Sequence, residues 1–319
     1  MSKTDHKIDA NARNLCEVLH EQKYTVDYFQ REYSWEQKHI VQLVNDLTTT
    51  FLNEYTPGDT RSAVEHYNGY YLGPFVVSSK DGIKSIIDGQ QRLTSLTLFL
   101  IFLNNLQKKL GLKESFETLV FSEKFGKKSF NIQVEERMVC LDKLFHEGHY
   151  QVPTDDESVT NMVARYANIE DEFPEKINAE AFPYFLDWLK NKVILVEITA
   201  YSDDNAYTIF ESMNDRGLNL TSTEMLKGYI LSRFGEPKDR EKANQFWKES
   251  IQALHKQSKE EDQQFFQAWL RSQYADTIRQ SKAGSSNEDF EKIGTRFHSW
   301  FRDNLSKMGL VPCHSKGLG

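Results

Sequence analysis

The sequence predicts an α+β fold: a small mixed β-sheet with a central buried helix, a helical insertion and a helical C-terminal region. Three stretches carry that expectation. Residues 70–78 (YYLGPFVVS) and 83–87 are rich in aromatic and β-branched side chains and flank Lys80-Asp81-Gly82, the pattern of a β-hairpin. Directly after them, Leu93, Leu96, Leu100, Leu103 and Leu110 recur at spacings of three, four and seven, and Phe99, Ile101 and Phe102 fill the other faces. A helix that is apolar nearly all round belongs inside a protein. Residues 193–199 (VILVEIT) form a continuous apolar run, as a buried strand requires.

Local signals supply the other elements. Residues 14–24 predict a short helix and a turn, and residues 25–31 an extended segment. Ser34 stands three positions before Gln37, the spacing of a capping box, and Ile40, Leu43, Val44, Leu47 and Phe51 follow at helical intervals. Residues 53–66 are polar and contain the Pro57-Gly58 turn signal. Residues 116–135 predict a second hairpin about Phe125-Gly126, with Lys124, Lys127 and Lys128 near its tip. Residues 135–190 are mainly helical, punctuated by Pro153, Pro174 and Pro183. After the 193–199 strand come a helix over 205–213, a turn at 214–217, and a helix opened by Thr221 with Glu224 three positions on; 238–275 and 287–306 add further helices. The expected organisation is one domain over residues 1–235, with its helical insertion at about 135–190, followed by a helical region over 236–319.

Of 319 residues, 39% are hydrophobic, 27% charged and 13% aromatic, a globular composition. The net charge of −8 argues against a protein that coats a long stretch of duplex DNA, although a local basic groove is compatible with it. Cys16, Cys140 and Cys313 are far apart and odd in number, so neither a disulfide framework nor a zinc site is expected. The N-terminal residues lack an apolar signal core, and the greasiest run, LFLIFL at 98–103, is too short to cross a bilayer. A cytoplasmic protein without a membrane partner is expected. His146 and His149 lack a third ligand and read as a surface pair.

Three segments can carry chemistry. In IIDGQQRLTSL a strand runs into a helix through Asp88 and Gly89. The first amide groups of a helix lack internal partners and favour a phosphate. Gly89 allows close approach, Arg92 can pair with phosphate oxygens, Gln90 and Gln91 can orient water or a base edge, and Asp88 can hold magnesium or polarise an attacking water. An equally good reading makes Asp88 and Gln91 a capping box and pairs Arg92 with a carboxylate. The second segment, residues 210–227 (FESMNDRGLNLTSTEMLK), could bring Glu211, Asn214, Arg216 and Lys227 to a ligand, with Gly217 closing the preceding helix; taken alone it reads better as a helix–turn–helix connection. The third, residues 28–35 (YFQREYSW), places Gln30 and Arg31 beside Tyr33 and Trp35, which could stack a nucleobase but alone read better as core rings.

The order YFQREYSW, then YYLGPFVV with IIDGQQRLTSLTL, then IFESMNDRGLNLTSTEMLK resembles the N-terminal domain of GmrSD-type modification-dependent restriction enzymes, a domain also found in SspE and BrxU-type defence proteins. The resemblance covers roughly residues 12–235. It implies a ParB/sulfiredoxin-like fold that binds and hydrolyses nucleoside triphosphates. It also implies a nucleotide site containing Asp88, Gly89, Gln90, Gln91 and Arg92, joined by Gln30 and Arg31 and by Phe210, Glu211, Asn214 and Gly217. The sequence departs from the family at Val26 and Asp27, where Ile-Pro is common, and at Phe29, where a tyrosine is usual. Nor does a His-Asn-His pattern follow, so the HNH nuclease common in the family is expected in another domain or subunit. The expected ligands are GTP or a related triphosphate with Mg2+, and the expected partners are modified phage DNA, the nuclease and possible further copies of the chain. The catalytic residues would be Asp88, Gln91, Arg92 and Glu211. Gln30, Arg31, Tyr33, Gly89, Gln90, Asn214, Arg216, Gly217 and Lys227 would bind nucleotide. The alternative is an adaptor that binds nucleotide or DNA without hydrolysis.

Overall fold

The computed structural model describes residues 8–26, 32–80, 83–114, 117–124, 127–152, 156–201, 209, 221–234, 236–258, 260–275 and 288–309. They form two compact units, divided between residues 206 and 207. The first contains β1 (Ile8–Asn14), α1 (Leu15–Leu19), β2 (Tyr24–Val26), α2 (Gln37–Glu54), a 3-10 turn (Arg61–His66), β3 (Tyr70–Lys80), β4 (Ile83–Asp88) and α3 (Gln90–Lys109). It continues with α4 (Glu117–Val120), β5 (Phe121–Lys124), β6 (Lys127–Phe130), β7 (Ile132–Gln133), α5 (Glu135–Glu147), α6 (Glu157–Glu172), α7 (Phe182–Lys192) and β8 (Val193–Ala200). The second unit contains α8 (Ser222–Ser232), α9 (Pro237–His255), α10 (Glu261–Tyr274) and α11 (Glu288–Asp303). This is the α+β class that the sequence predicts.

Six strands form a mixed sheet in the order β1-β8-β3-β4-β2-β7, and β5 pairs with β6 in a separate hairpin. β3 and β4 are antiparallel, with Val77 opposite Ile86 and Lys80 opposite Ile83. β8 lies parallel to the other edge of β3 and antiparallel to β1. β2 runs parallel to β4, so both strands point toward the end of the sheet at which α3 begins. Phe75, Val77, Ile86, Val193 and Leu195 join the helices of this unit in one core. Leu93, Leu96 and every residue from Leu98 to Leu103 on α3 are buried, which confirms the central helix. Burial of each large apolar side chain is worth about 1.5–3 kcal/mol.

Two elements depart from expectation. Ser34 does not cap α2; Glu36 does, and its N–H donates to Nδ1 of His39 at 3.1 Å. The Ser34 amide is held elsewhere, by Gln91. β1 has no hydrophobic alternation to announce it. It is an edge strand held by its backbone ladder to β8 rather than by side-chain burial. In the second unit, Leu226, Tyr229, Leu270, Ile293, Phe297, Trp300 and Phe301 form a core of their own, so α8 packs with the C-terminal helices. Thr221 and Glu224 make the expected reciprocal cap. Among the described residues no helix is long and apolar enough to cross a membrane.

The joint between β4 and α3 is Gly89, at φ 90° and ψ 5°. A Cβ there would lie 2.7 Å from Cβ of Phe75 and 3.3 Å from its Cα. Left-handed strain costs an L-residue about 1–2 kcal/mol and overpacking about 1–3 kcal/mol. Gly89→Ala is therefore expected to lower the unfolding free energy by about 2–4 kcal/mol in urea denaturation; a loss below about 1 kcal/mol would mean that the joint relaxes freely.

Candidate functional site

α3 begins without a side-chain cap, so the Asp88–Gln91 capping box is not made. Its first helical bond runs from the Leu93 amide to the Gly89 carbonyl at 3.0 Å, and the amides before it lie in the turn that a helix cannot bond internally. Asp88 closes β4 opposite Val76. Arg92, one turn into the helix, lies flat against β3: its Cζ, Nη1 and Nη2 are each 3.4 Å from the position a Gly73 Cβ would take. Nη1 donates to the Pro74 carbonyl at 2.7 Å. Among the described residues its guanidinium forms no ion pair within 4.0 Å. Burial pulls its pKa below the ordinary arginine value, opposed by the charge of Asp88 and by Tyr71 and Tyr70.

Tyr70, on the same strand, donates its hydroxyl to Oδ2 of Asp46 on α2 at 2.8 Å. Burial, with that bond second, pushes its pKa up to about 12. Gly73, Pro74, Tyr70 and Asp46 were not expected at this place. The legible signal was Gly73-Pro74 itself: a glycine and a proline inside an apolar strand mark a bulge or a close approach.

Gln91 faces a different side of α3. Its Oε1 accepts from the Ser34 amide at 3.0 Å, and its Nε2 donates to the Glu32 carbonyl at 2.8 Å. The expected catalytic glutamine thus ties the first motif to the helix start. Tyr33 is fully buried, with its hydroxyl 2.8 Å from Ser95 Oγ and its amide bonded to Ser158 Oγ. In this arrangement its ring offers no face to a ligand, which places it in the core rather than in a binding pocket. Gln90 is also buried. Lys227 is buried on α8, in the second unit. Gln30, Arg31, Phe210, Glu211, Asn214, Arg216 and Gly217 lie outside the described residues.

The weaker candidates resolve as surface or core features. His146 faces Asp142 at 3.6 Å, and Nδ1 of His149 meets the Glu147 carbonyl. Lys128 pairs with Glu117 at 2.8 Å. Cys16 and Cys140 are free, and burial pushes the Cys140 thiol up to about 12. Among the described residues no three His, Cys, Asp or Glu side chains gather as a metal cluster.

Two expected outcomes follow from these bonds. Gln91→Ala removes both tethers of the 32–34 segment, and hydrogen exchange at the Ser34 amide should accelerate by about tenfold or more, since each such bond is worth about 1 kcal/mol. Unchanged exchange would show the tether to be incidental. Burial, weakly opposed by the bond to Ser95, raises the Tyr33 pKa from 10.0 to about 12. A raised folded-state pKa gives stability that is full below the unfolded value and is lost as pH rises through the folded one. Stability should therefore fall between pH 10.0 and about 12, and less steeply in Tyr33→Phe, as measured by denaturant titration at each pH.

Residues 15–231 match the family described as GmrSD restriction endonuclease, N-terminal domain. No curated protein matches the chain. The family match covers more than half of the chain and includes Asp88, Gly89, Gln91 and Arg92 together with the Gly73-Pro74 step against which Arg92 lies. The chain belongs to the family of the N-terminal domain of GmrSD restriction endonucleases.

Proposed function

We propose that this chain is a nucleoside triphosphate-binding and hydrolysing sensor domain of an antiviral, modification-dependent DNA restriction system. One observation carries the reading. Arg92 is partly withdrawn from water beside a helix start without a side-chain cap, one of its donors is spent on Pro74, and no carboxylate pairs with it among the described residues. A partly desolvated cation without a paired carboxylate is costly, and a polyphosphate would relieve that cost in a forked, charge-assisted contact. The first-turn amides and the helix dipole would add to the same attraction.

GTP is the expected nucleotide. Magnesium takes one or two carboxylates together with phosphate oxygens, and Asp88 is the carboxylate that closes β4 at this joint, so the donor set fits. The ion would supply charge neutralisation on the phosphates. Arg92 would hold phosphate charge as it develops, and Asp88 would orient the ion or water. Nucleotide state would then bias DNA cleavage by an HNH domain or subunit outside this chain, and modified phage DNA would shift that balance. The expected setting is the cytoplasm.

The engagement of Gln91 with Glu32 and Ser34 favours a second reading, an adaptor that binds nucleotide or DNA without turnover, because it occupies an expected water-orienting group. Phosphate release and GTP affinity with Mg2+ separate the two. Wild type should bind and hydrolyse GTP, and Arg92→Ala should weaken binding by about 10–100-fold, the worth of a hydrogen bond to a charged group. Tight binding with no release would establish the adaptor. Equal affinity in wild type and Arg92→Ala would remove Arg92 from the site.

A further inference from the structure

We infer that Gly73 is a positioning residue, and that the bulged Leu72-Gly73-Pro74 step of β3 is a seat that presents the Arg92 guanidinium to polyphosphate. The inference rests on the proposed role of Arg92.

Along β8, Tyr71 stands opposite Ile194 and Gly73 opposite Leu195, so Leu72 is an extra residue in the strand. The bulge brings Gly73 to φ +110°, a conformation that L side chains rarely adopt. Three guanidinium atoms lie at one distance, 3.4 Å, from its absent Cβ, so the plane of Arg92 rests face-on against the bare backbone. The next residue completes the seat. β3 pairs with β4 only from Val76 onward, so Pro74 lies beyond the last rung on that edge. The amide and carbonyl of one strand residue point the same way. Proline has no N–H, and its carbonyl is the only group there in need of a partner; Arg92 Nη1 supplies it at 2.7 Å. The seat thus spends one donor to fix the plane of the guanidinium and leaves the others for an anion. A methyl at Gly73 would touch the guanidinium face, and the backbone would have to leave φ +110° to accept it, so the cation would move with the strand.

Inorganic tripolyphosphate, titrated calorimetrically into the full chain, tests this without reliance on turnover. Gly73→Ala is expected to weaken its affinity by about tenfold, the low end of the worth of one hydrogen bond to a charged group, and to add nothing in an Arg92→Ala background. Gly58 is the control: it has φ +94° with nothing within 4 Å of its missing Cβ, so Gly58→Ala imposes comparable backbone strain away from Arg92 and should leave affinity unchanged. Undiminished affinity in Gly73→Ala, or the same loss with and without Arg92, would overturn the assignment. Arg92→Lys reports independently should Gly73→Ala not fold. It keeps the charge but has no plane to seat, so it should bind about tenfold more weakly, and wild-type affinity in that variant would equally overturn the role of Gly73. No binding by the wild type would be a different failure, removing the polyphosphate reading and the seat together.

Discussion

Where β4 gives way to α3, the chain passes so close to Phe75 that only a residue without a Cβ fits, and it does so in a left-handed conformation that favours the same residue. That joint fixes the rotation of the first turn of α3 against β3, and the apolar body of α3 then locks the rotation over its length. Consecutive helix residues point about 100° apart, as follows from 3.6 residues per turn. With Gly89 pinned, Gln91 is carried toward the 32–34 segment and Arg92 toward Gly73 and Pro74. The neighbouring side chains of the Asp-Gly-Gln-Gln-Arg run therefore meet different surroundings because one backbone contact decides which way each must face.

That separation has an energetic logic. A glutamine amide is neutral and can satisfy both of its ends on backbone groups at modest cost, as Gln91 does with Ser34 and Glu32. A guanidinium drawn out of water is expensive unless something of opposite charge meets it. The protein gives Arg92 a carbonyl and the field of Asp88, which lessen the cost without cancelling the charge. Tyr70 is in turn held by Asp46, so that carboxylate is tied to the phenol beside the arginine. Structural tethering thus falls to the neutral side chain, while the charged one stays available.

The elements legible in the sequence were those whose signal is local. α3 announced itself because every face is apolar, β3 and β4 because a turn divides two β-rich runs, and the start of α8 because Thr221 and Glu224 cap it by themselves. Elements set by distant partners were not legible. β1 lives on its ladder to β8, and the cap of α2 moved from Ser34 to Glu36 because Gln91, far off in sequence, takes the Ser34 amide. The same holds for the site. The strand-to-helix joint at Gly89 was readable in the sequence, but Asp88–Gln91 capping and active-site work for Gln91 were equally consistent with the spelling. The reading of Tyr33 as a core ring, the better one from its segment alone, matches its burial. Gly73-Pro74 carried a signal that a strand reading alone could not direct at Arg92, since the contact crosses from one element to another.

An acidic chain is no obstacle to gripping polyphosphate at such a place. Surface charges more than a Debye length away, about 8 Å at physiological salt, are largely screened, whereas a partly buried cation is screened much less. The net charge of −8 therefore acts mainly through the solvent, whereas Arg92, partly buried against β3, would act on the proposed phosphate through a lower-dielectric surround. Long duplex DNA samples the opposite balance: its many phosphates meet the whole surface, where the acidic excess counts. An acidic domain in which β3 holds a partly buried arginine in place is therefore compatible with the proposed contact to a compact polyphosphate.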